Sequence, residues 1–154
     1  MPSKRVASSS VELHHFMMPE HANLLGNVHG GIIMKLVDEA AGLCAMRHAQ
    51  RFAVTVAIDS MEFHEPVRVG DVLCLRARLN FVGRTSMEVG VQVTAENPIT
   101  GQITHTNSAL CVYVALDEHG KPVEVPGLEL ISEEERTRWG EAKTRQAHRL
   151  RSKK

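Results

Sequence analysis

The sequence predicts a single α+β domain in which one antiparallel sheet wraps one long apolar helix. Apolar residues recur every three or four positions in one segment, which is the helical period, and every second position in later segments, which is the strand period. Only short breaks separate consecutive strand segments, which favours hairpins. A single sheet must then cover a single helix.

The elements follow in the order strand, helix and four strands. A weakly supported first strand is predicted over residues 9–17, and the helix over residues 30–48. From Phe52 the pattern alternates, with Phe52, Val54, Val56 and Ile58 on one side of a strand at residues 52–59. The remaining strands are predicted over residues 71–81, 85–95 and 103–116, separated by PVRVGD, VGRT and NPITGQ.

Composition places the chain among ordinary globular proteins. Of its 154 residues, 43% are apolar and 23% are charged, which is typical of a domain with one core. The three cysteines have no C-x-x-C spacing, so neither a disulfide framework nor a cysteine zinc site is expected. The N-terminal residues carry no apolar leader segment, and no stretch has the length of a membrane span. We therefore expect a cytoplasmic protein without a membrane partner.

Charge is distributed unevenly along the chain. Residues 136–154 hold eight Lys and Arg against one Glu, although the whole chain is neutral. Ser132 followed three residues later by Glu135 is a helix-capping pattern, so a basic helical tail is predicted at residues 129–154, after a main domain at 9–128. The tail is interpreted as a solvated helix, with an anionic partner as the alternative. Aromatic side chains are not interleaved with its charges, so no nucleic-acid partner is expected.

One carboxylate of the predicted helix lies on the side opposite its apolar stripe. At 100° per residue that stripe spans about 140° and consists of Ile32, Ile33, Leu36, Val37, Ala40, Leu43 and Cys44. Asp38 falls about 100° beyond it, among Met34, Ala41 and Ala45. Small apolar neighbours indicate a second contact surface that another subunit approaches closely. A homodimer contact is therefore expected on this face.

Asp38 is the first candidate catalytic residue for the same reason. A structural carboxylate at this angle would usually have an Arg or Lys on its face of the helix, and the sequence places none there. Desolvation raises the pKa of a carboxylate unless nearby donors favour its charged form. A carboxylate in such a setting suits a general base or a proton-sharing acid, so a functional role is preferred over a structural one.

The residues before the helix suggest an oxyanion site. Gly30 and Gly31 allow a ligand to approach the first helical turn, where main-chain N–H groups lack intrahelical acceptors and the helix dipole is positive. Acyl transfer develops negative charge on a carbonyl oxygen, which such donors stabilise. Asn27 can donate to that oxygen or hold a water, or can be an ordinary turn or N-cap residue. His29 is interpreted as a loop or ligand contact, with a base role as the alternative.

Four motifs in one order carry a family resemblance: GNVHGGIIMKLVDEAAG, FHEPVRVGD, VGRTSMEVGVQV and HTNSALCVYVALD. Together they resemble the hotdog-fold acyl-CoA thioesterases, in the branch of the cytosolic acyl-CoA hydrolases and broad-range bacterial thioesterases, over residues 11–128. The resemblance implies an antiparallel sheet around the helix, dimers whose sheets join side by side, and trimers of such dimers. It also implies hydrolysis of fatty acyl-CoA to free acid and CoA, with no cofactor.

The resemblance also assigns site residues. Asp38 matches the family's catalytic carboxylate and Asn27 its paired asparagine, which come from opposite subunits, so each dimer is expected to hold two sites. The N–H of Gly31, helped by that of Gly30, would stabilise the oxyanion, while Asp38 activates water or attacks the carbonyl; the sequence leaves both routes open. The expected CoA contacts are Gly83, Arg84, Thr85 and Ser86. These four are otherwise an ordinary hairpin turn, and the basic tail would add attraction for the CoA phosphates.

Two polar residues of the last strand complete the candidate set. Asn107 and Ser108 interrupt the apolar alternation and are candidate substrate contacts, or outward-facing polar residues. The other histidines match no metal motif such as H-E-x-x-H, so no metal is expected.

Two other functions stay open on the same fold. A non-catalytic acyl-CoA sensor would need no base, and a dehydratase or hydratase would need a catalytic histidine, for which His29 is the nearby candidate.

Overall fold

The computed structural model describes residues 1–152 and confirms the α+β arrangement. Its helices are α1 (Gly30–Ala49) and α2 (Glu133–Ser152). Its strands are β1 (Lys4–Arg5), β2 (Val11–Phe16), β3 (Ala53–Phe63), β4 (Val72–Val82), β5 (Ser86–Glu96), β6 (Ile103–Ala115) and β7 (Leu128–Glu129). Five of them form an antiparallel sheet in the order β2-β4-β5-β6-β3, which wraps α1. This is the hotdog fold, and every strand and helix predicted from the sequence is present.

The ends of the chain meet in a small second sheet. Strands β1 and β7 pair in parallel, with Lys4 opposite Leu128 and Arg5 opposite Glu129. Strand β1 precedes the predicted domain start at residue 9, and β7 begins at its predicted end, residue 128. Two-residue strands leave no alternation for a sequence to show. Residues 153–154 of the predicted tail lie outside the described residues.

The core lies between α1 and the helix-facing side of the sheet. On β5, Met87, Val89, Val91 and Val93 are 0% exposed and face α1, as the strand period requires. The buried stripe of α1 is rotated from the predicted one: Ala41 and Ala45 are fully buried, whereas Leu43 is 36% exposed. The prediction that Ala41 and Ala45 face another subunit is therefore wrong, because the sheet of the same chain already covers them.

Strand β3 forms one edge of the sheet and shows an apolar surface to solvent. Phe52 is 80% exposed, Val54 44% and Val56 51%. Thr55 stands opposite Tyr113 on the helix-facing side, and two register shifts interrupt the pairing with β6. The predicted alternation is thus a strand, but Val54 and Val56 do not face α1, whereas Ile58, opposite Cys111 beyond the first register shift, packs against the core. An apolar edge strand left exposed in one chain is typical of a surface that pairs with another chain.

Helix α2 packs on the outer face of the sheet, the face away from α1. Its N-cap is confirmed, since the Glu135 N–H donates to Ser132 Oγ at 3.1 Å. The Trp139 ring lies 4.4 Å from the Phe81 ring, and Ala142 is 0% exposed. The interpretation of the tail as a solvated helix is therefore wrong for this face, because the buried Ala142 and half-buried side chains recur at helical spacing and cover the sheet. Neither α1 nor α2 is long and apolar enough to cross a membrane.

Candidate active site

Asp38 lies on α1 with one carboxylate oxygen held by two hydroxyl groups. Thr55 Oγ1 donates to Asp38 Oδ1 at 2.7 Å, and the Tyr113 hydroxyl lies 2.6 Å from the same oxygen. The hydroxyl also lies 3.0 Å from the Asp38 main-chain oxygen. Thr55 and Tyr113 are directly paired on β3 and β6, so the sheet brings both donors to one point. The sequence analysis missed both residues. Their only indication in the sequence was a hydroxyl group within an otherwise apolar strand segment.

The groups around Asp38 are neutral donors. Burial, followed by the hydrogen bond to Asp38, raises the pKa of Tyr113, so the phenol keeps its proton. Burial, followed by the charge of Asp38, raises the pKa of the Cys111 thiol to about 12. Within residues 1–152 no Lys or Arg forms an ion pair with Asp38. The described donors to the Asp38 side chain are therefore hydroxyl groups.

The start of α1 is open to solvent. His29 is the N-cap residue, and its carbonyl accepts from the N–H groups of Ile32 and Ile33. A Cβ added at Gly31 would meet nothing within 4 Å, whereas one at Gly30 would lie 3.3 Å from the Phe63 ring. The first-turn N–H groups of these glycines have no intrahelical acceptor. Beside them is a cleft of about 340 Å³, the helix-start cleft, lined by Asn23, Asn27, Val28, Gly30, Ile33, Phe63, His64, Glu65, Pro66 and Val67.

A hydrogen-bonded loop presents two asparagines to the helix-start cleft. Asn23 Oδ1 accepts from the N–H groups of Leu25 and Asn27, at 2.9 and 3.2 Å. Asn27 O in turn accepts from the Asn23 N–H at 2.7 Å. Sequence reasoning missed Asn23, although an Asn followed three residues later by Gly26, whose φ is +81°, is a turn signal. His29 is exposed beside them, and its N–H donates to His21 O.

Asp38 and the helix start are separate within one chain. Asp38 follows Gly30 by eight residues, which is about 12 Å along a helix axis. The turn at residues 83–86 lies at the Asp38 end, since Ser86 pairs with Val114 next to Tyr113. Two of the predicted residues, Gly30 and Asn27, thus share a cleft, while Asp38 and the predicted CoA turn lie at the other end of the sheet.

The turn at residues 83–86 is in contact with α2. The Gly83 N–H donates to Ser86 O at 2.8 Å, and Gln146 on α2 donates to Ser86 Oγ at 2.9 Å. A Cβ on Gly83 would lie 2.6 Å from the Gln146 side chain. The Arg84 side chain is 80% exposed and 3.9 Å from Glu124. The carbonyl of the third turn residue, Thr85, accepts from the main chain of β6.

Asn107 and Ser108 point to opposite faces of the sheet. Asn107 pairs with Phe63 near the helix start and is 0% exposed. Its Nδ2 lies 3.5 Å from Glu62 O, and its Oδ1 has no partner among the described residues. Ser108 lies on the outer face, 3.2 Å from Gln92 and 3.1 Å from a histidine ring. Of the two predicted contacts, only Asn107 thus lies on the face that α1 covers.

One cluster brings three possible metal ligands together. Glu12, His14 and Cys74 each place one ligand atom within 4.8 Å of the others, on the outer face of β2 and β4. The Cys74 thiol donates to Glu12 at 3.4 Å, and Arg76 binds the same carboxylate oxygen at 2.9 Å. Burial, followed by the bond to Glu12, raises the pKa of Cys74. The thiol thus stays protonated and the carboxylate paired, which disfavours metal ligation.

The fold and these sites agree with one family. The profile of the thioesterase superfamily matches residues 25–102, and the chain belongs to this superfamily. Among curated relatives, the cytosolic acyl coenzyme A thioester hydrolase of Rattus norvegicus is 38% identical over 142 residues, which cover 91% of this chain and 37% of that protein. This chain thus spans little more than a third of the length of that relative.

Two solved structures cover nearly the whole chain. An apo-hexameric acyl-CoA thioesterase has a TM-score of 0.93 at 38% identity, over 99% of this chain and 97% of that one. An acyl-CoA hydrolase from Staphylococcus aureus, in complex with butyryl coenzyme A and coenzyme A, has a TM-score of 0.88 at 31% identity, over 99% and 95%. Structures of that hydrolase also exist with an aspartate, a threonine or an asparagine replaced by alanine.

Proposed function

We propose that this chain is an acyl-CoA thioester hydrolase in which Asp38 is the general base or the nucleophile. The observation that carries the proposal is the arrangement of Asp38: a half-buried carboxylate on the central helix, with two hydroxyl donors on one oxygen. The names of the rat and staphylococcal relatives support a CoA thioester as the substrate. Water and protein groups are sufficient for the reaction, so the proposal includes no cofactor and no metal.

In the proposed reaction the thioester carbonyl points at the start of α1. The N–H of Gly31, helped by that of Gly30, stabilises the oxyanion. Asp38 takes a proton from water, the water oxygen bonds to the carbonyl carbon, the C–S bond breaks, and the proton passes to the CoA thiolate. In the alternative route Asp38 attacks the carbonyl carbon and forms a mixed anhydride, which water then hydrolyses.

The proposed site requires two subunits. One chain separates Asp38 from Gly30 by about 12 Å along α1, too far for both to act on one thioester carbon. We therefore propose a homodimer in which the helix start of one subunit faces Asp38 of the other, giving two equivalent sites. The exposed apolar edge of β3 supports a side-by-side joining of the two sheets. The hexameric structural neighbour supports a trimer of such dimers.

The asparagine of the site is proposed to be Asn23 or Asn27, both of which line the helix-start cleft. The staphylococcal variants favour Asn23. The substituted asparagine, aspartate and threonine of that hydrolase are separated along its chain as Asn23, Asp38 and Thr55 are here. Asn27, predicted from the sequence, would then orient Asn23 through its main-chain hydrogen bonds.

The turn at residues 83–86 is proposed to bind coenzyme A. It lies at the Asp38 end of the sheet, and Arg84 offers an exposed, charged donor for a phosphate. His29 and Asn107 are proposed to contact the substrate at the helix start, while Ser108 on the outer face gains no support.

A cytoplasmic location is proposed because the rat relative is named cytosolic and the three cysteines are buried and unpaired.

The test is thiol release from butyryl-, decanoyl- and palmitoyl-CoA, with the oligomeric state of each variant checked by light scattering. Asp38→Asn is expected to lose about a hundredfold or more in kcat while forming the same oligomer. Glu39→Gln, which changes the exposed neighbouring carboxylate, is the matched control and should keep the wild-type rate. Wild-type protein that binds acyl-CoA and releases no thiol would contradict the proposal and favour the sensor alternative.

A further inference from the structure

Both hydroxyl donors at Asp38 bind the same oxygen. Thr55 and Tyr113 contact Oδ1, at 2.7 and 2.6 Å, and in the described chain Oδ2 has no hydrogen-bond partner. A separation of 2.6 Å is within the range of a charge-assisted O–H···O⁻ bond. The carboxylate is therefore asymmetric: one oxygen is saturated with donors and the other is left for a ligand.

Tyr113 is the more rigid of the two donors. It is 1% exposed and stands on β6, inside the sheet, whereas Thr55 is exposed on the edge strand β3. Its ring packs on α1 at Gly42, where an added Cβ would lie 3.5 Å from the ring. Its hydroxyl also lies 3.0 Å from the Asp38 main-chain oxygen. These contacts fix the hydroxyl relative to the helical turn that carries Asp38.

These two hydroxyls are the main groups that stabilise the Asp38 carboxylate. From β6 it faces the Tyr113 phenol and the Cys111 thiol, both of which burial keeps protonated. From β3 it faces Thr55, which does not titrate. On α1 the nearest charged side chains, Lys35 and Glu39, are exposed. Loss of one hydroxyl donor would therefore not be compensated by a neighbouring cation.

We infer that Tyr113 is a positioning residue for the proposed hydrolysis: it holds Oδ1 of Asp38 so that Oδ2 is the oxygen presented to water or to the thioester. The inference rests on the proposed function, which assigns the reactive carboxylate to Asp38. Tyr113 thus orients Asp38 through a hydrogen bond to one defined carboxylate oxygen.

The test compares wild type, Tyr113→Phe and Thr106→Val with the acyl-CoA that wild type hydrolyses fastest. Thr106→Val is the matched control, because Thr106 is a buried hydroxyl on the same strand that bonds to Val93 O and does not touch Asp38. Tyr113→Phe is expected to lower kcat about tenfold with KM changed less than about twofold. Thr106→Val should keep the wild-type kcat.

The folded fraction of each variant separates positioning from packing. A purely structural effect of Tyr113→Phe would lower kcat only as far as it lowers the folded fraction, which circular dichroism and light scattering measure. Such a result, or an unchanged kcat, would overturn the inference. An equal loss of kcat in Thr106→Val would also overturn it, because the effect would not be specific to Tyr113.

A second readout does not depend on turnover. In protein labelled with ¹³C-aspartate, infrared difference spectra show the carboxylate band that Asp38→Asn removes. Tyr113→Phe should shift the frequency of that band, because Oδ1 of Asp38 loses a donor, and Thr106→Val should not. If wild type releases no thiol, the proposed function fails on its own. An unshifted band then shows separately that Tyr113 does not bind the carboxylate.

Discussion

Arg145 on α2 donates two hydrogen bonds of 2.8 Å to Glu88, a carboxylate on the outer face of β5 that is 1% exposed. Asn80 donates a third, also of 2.8 Å. A buried carboxylate is tolerated only where donors compensate its lost hydration. Helix α2 therefore belongs to the packing of the domain, and part of its positive charge is neutralised by the sheet.

Removal of the Arg145 side chain should destabilise the fold. Arg145→Ala leaves the Glu88 carboxylate buried with only the neutral amide of Asn80 as a side-chain donor, and breaking a buried pair from one side costs about 3 kcal/mol. We expect a loss of that size in the free energy of unfolding by urea. The control is Arg136→Ala on the same helix, whose pair with Glu133 is exposed and should contribute less than about 1 kcal/mol. Equal losses for the two variants would mean that the buried pair has no special role.

Replacing a glycine within α2 and a glycine packed against α2 by alanine should change the stability of the fold in opposite directions. Gly140 lies within the helix with nothing within 4 Å of an added Cβ, so Gly140→Ala should stabilise by about 0.5–1 kcal/mol. At Gly83 the Cβ would lie 2.6 Å from Gln146 and 2.7 Å from Ser86 Oγ. Gly83→Ala should break the hydrogen bond between those side chains and destabilise by about 1 kcal/mol. Thermal unfolding of both variants measures the stabilisation and the destabilisation in one experiment.

The free energy of unfolding should decrease as the pH is lowered, because one histidine is buried. His48 Nε2 lies 2.7 Å from Pro126 O, which only accepts, so Nε2 carries the proton and the buried Nδ1 has no partner. Burial lowers the pKa of His48 from its ordinary value of 6.5. As pH falls below 6.5 the unfolded histidine binds a proton before the folded one does, so unfolding is favoured, by at most about 1.4 kcal/mol per pH unit.

The measurement is the slope of the unfolding free energy between pH 7 and 5.5. His48→Gln removes the titrating group and should flatten that slope relative to wild type. His119→Gln, at an exposed position, should leave it unchanged. If His48→Gln and wild type have parallel slopes, His48 does not oppose protonation in the folded state.

The periodic elements were predictable, and the surfaces that cover them were not. Residues 30–48 and the five strand segments carry local periods that depend on no other part of the chain. The docking of α2 depends on Glu88, whose burial arises only when two distant segments meet. The face of β3 was likewise not visible, because its register with β6, including two shifts, decides that Thr55 rather than Val54 points at α1.

The site was predictable where one element carries it. Asp38, Gly30 and Gly31 share α1, so their angles and order follow from one helical period. Tyr113 and Thr55 lie on strands far along the chain, and only the pairing of β3 with β6 brings them to Asp38. The separation of about 12 Å between Asp38 and Gly30 follows from helix geometry alone. It therefore supports the proposed two-subunit site independently of the side-chain contacts.

A charge on the edge of β3 should prevent dimer formation. Val54 is 44% exposed and is not part of the described hydrophobic core, so Val54→Lys should fold as a single chain. Two lysines brought together by pairing of identical edges would repel and lose hydration. Light scattering should show monomers, and thiol release should be lost together with the dimer. The control is Ile99→Lys, in an exposed turn, which should keep both.

Mixing two inactive variants tests whether each site is shared. Asp38→Asn is combined with Asn23→Ala, or with Asn27→Ala if that is the asparagine variant that abolishes thiol release, by refolding equal amounts together. If each site takes its asparagine from one subunit and Asp38 from the other, a hybrid dimer holds one doubly altered site and one intact site. Random pairing makes about half of the dimers hybrid, so the mixture should recover about a quarter of wild-type activity. A mixture that stays inactive although hybrids form would place Asp38 and the asparagine of each site on the same chain.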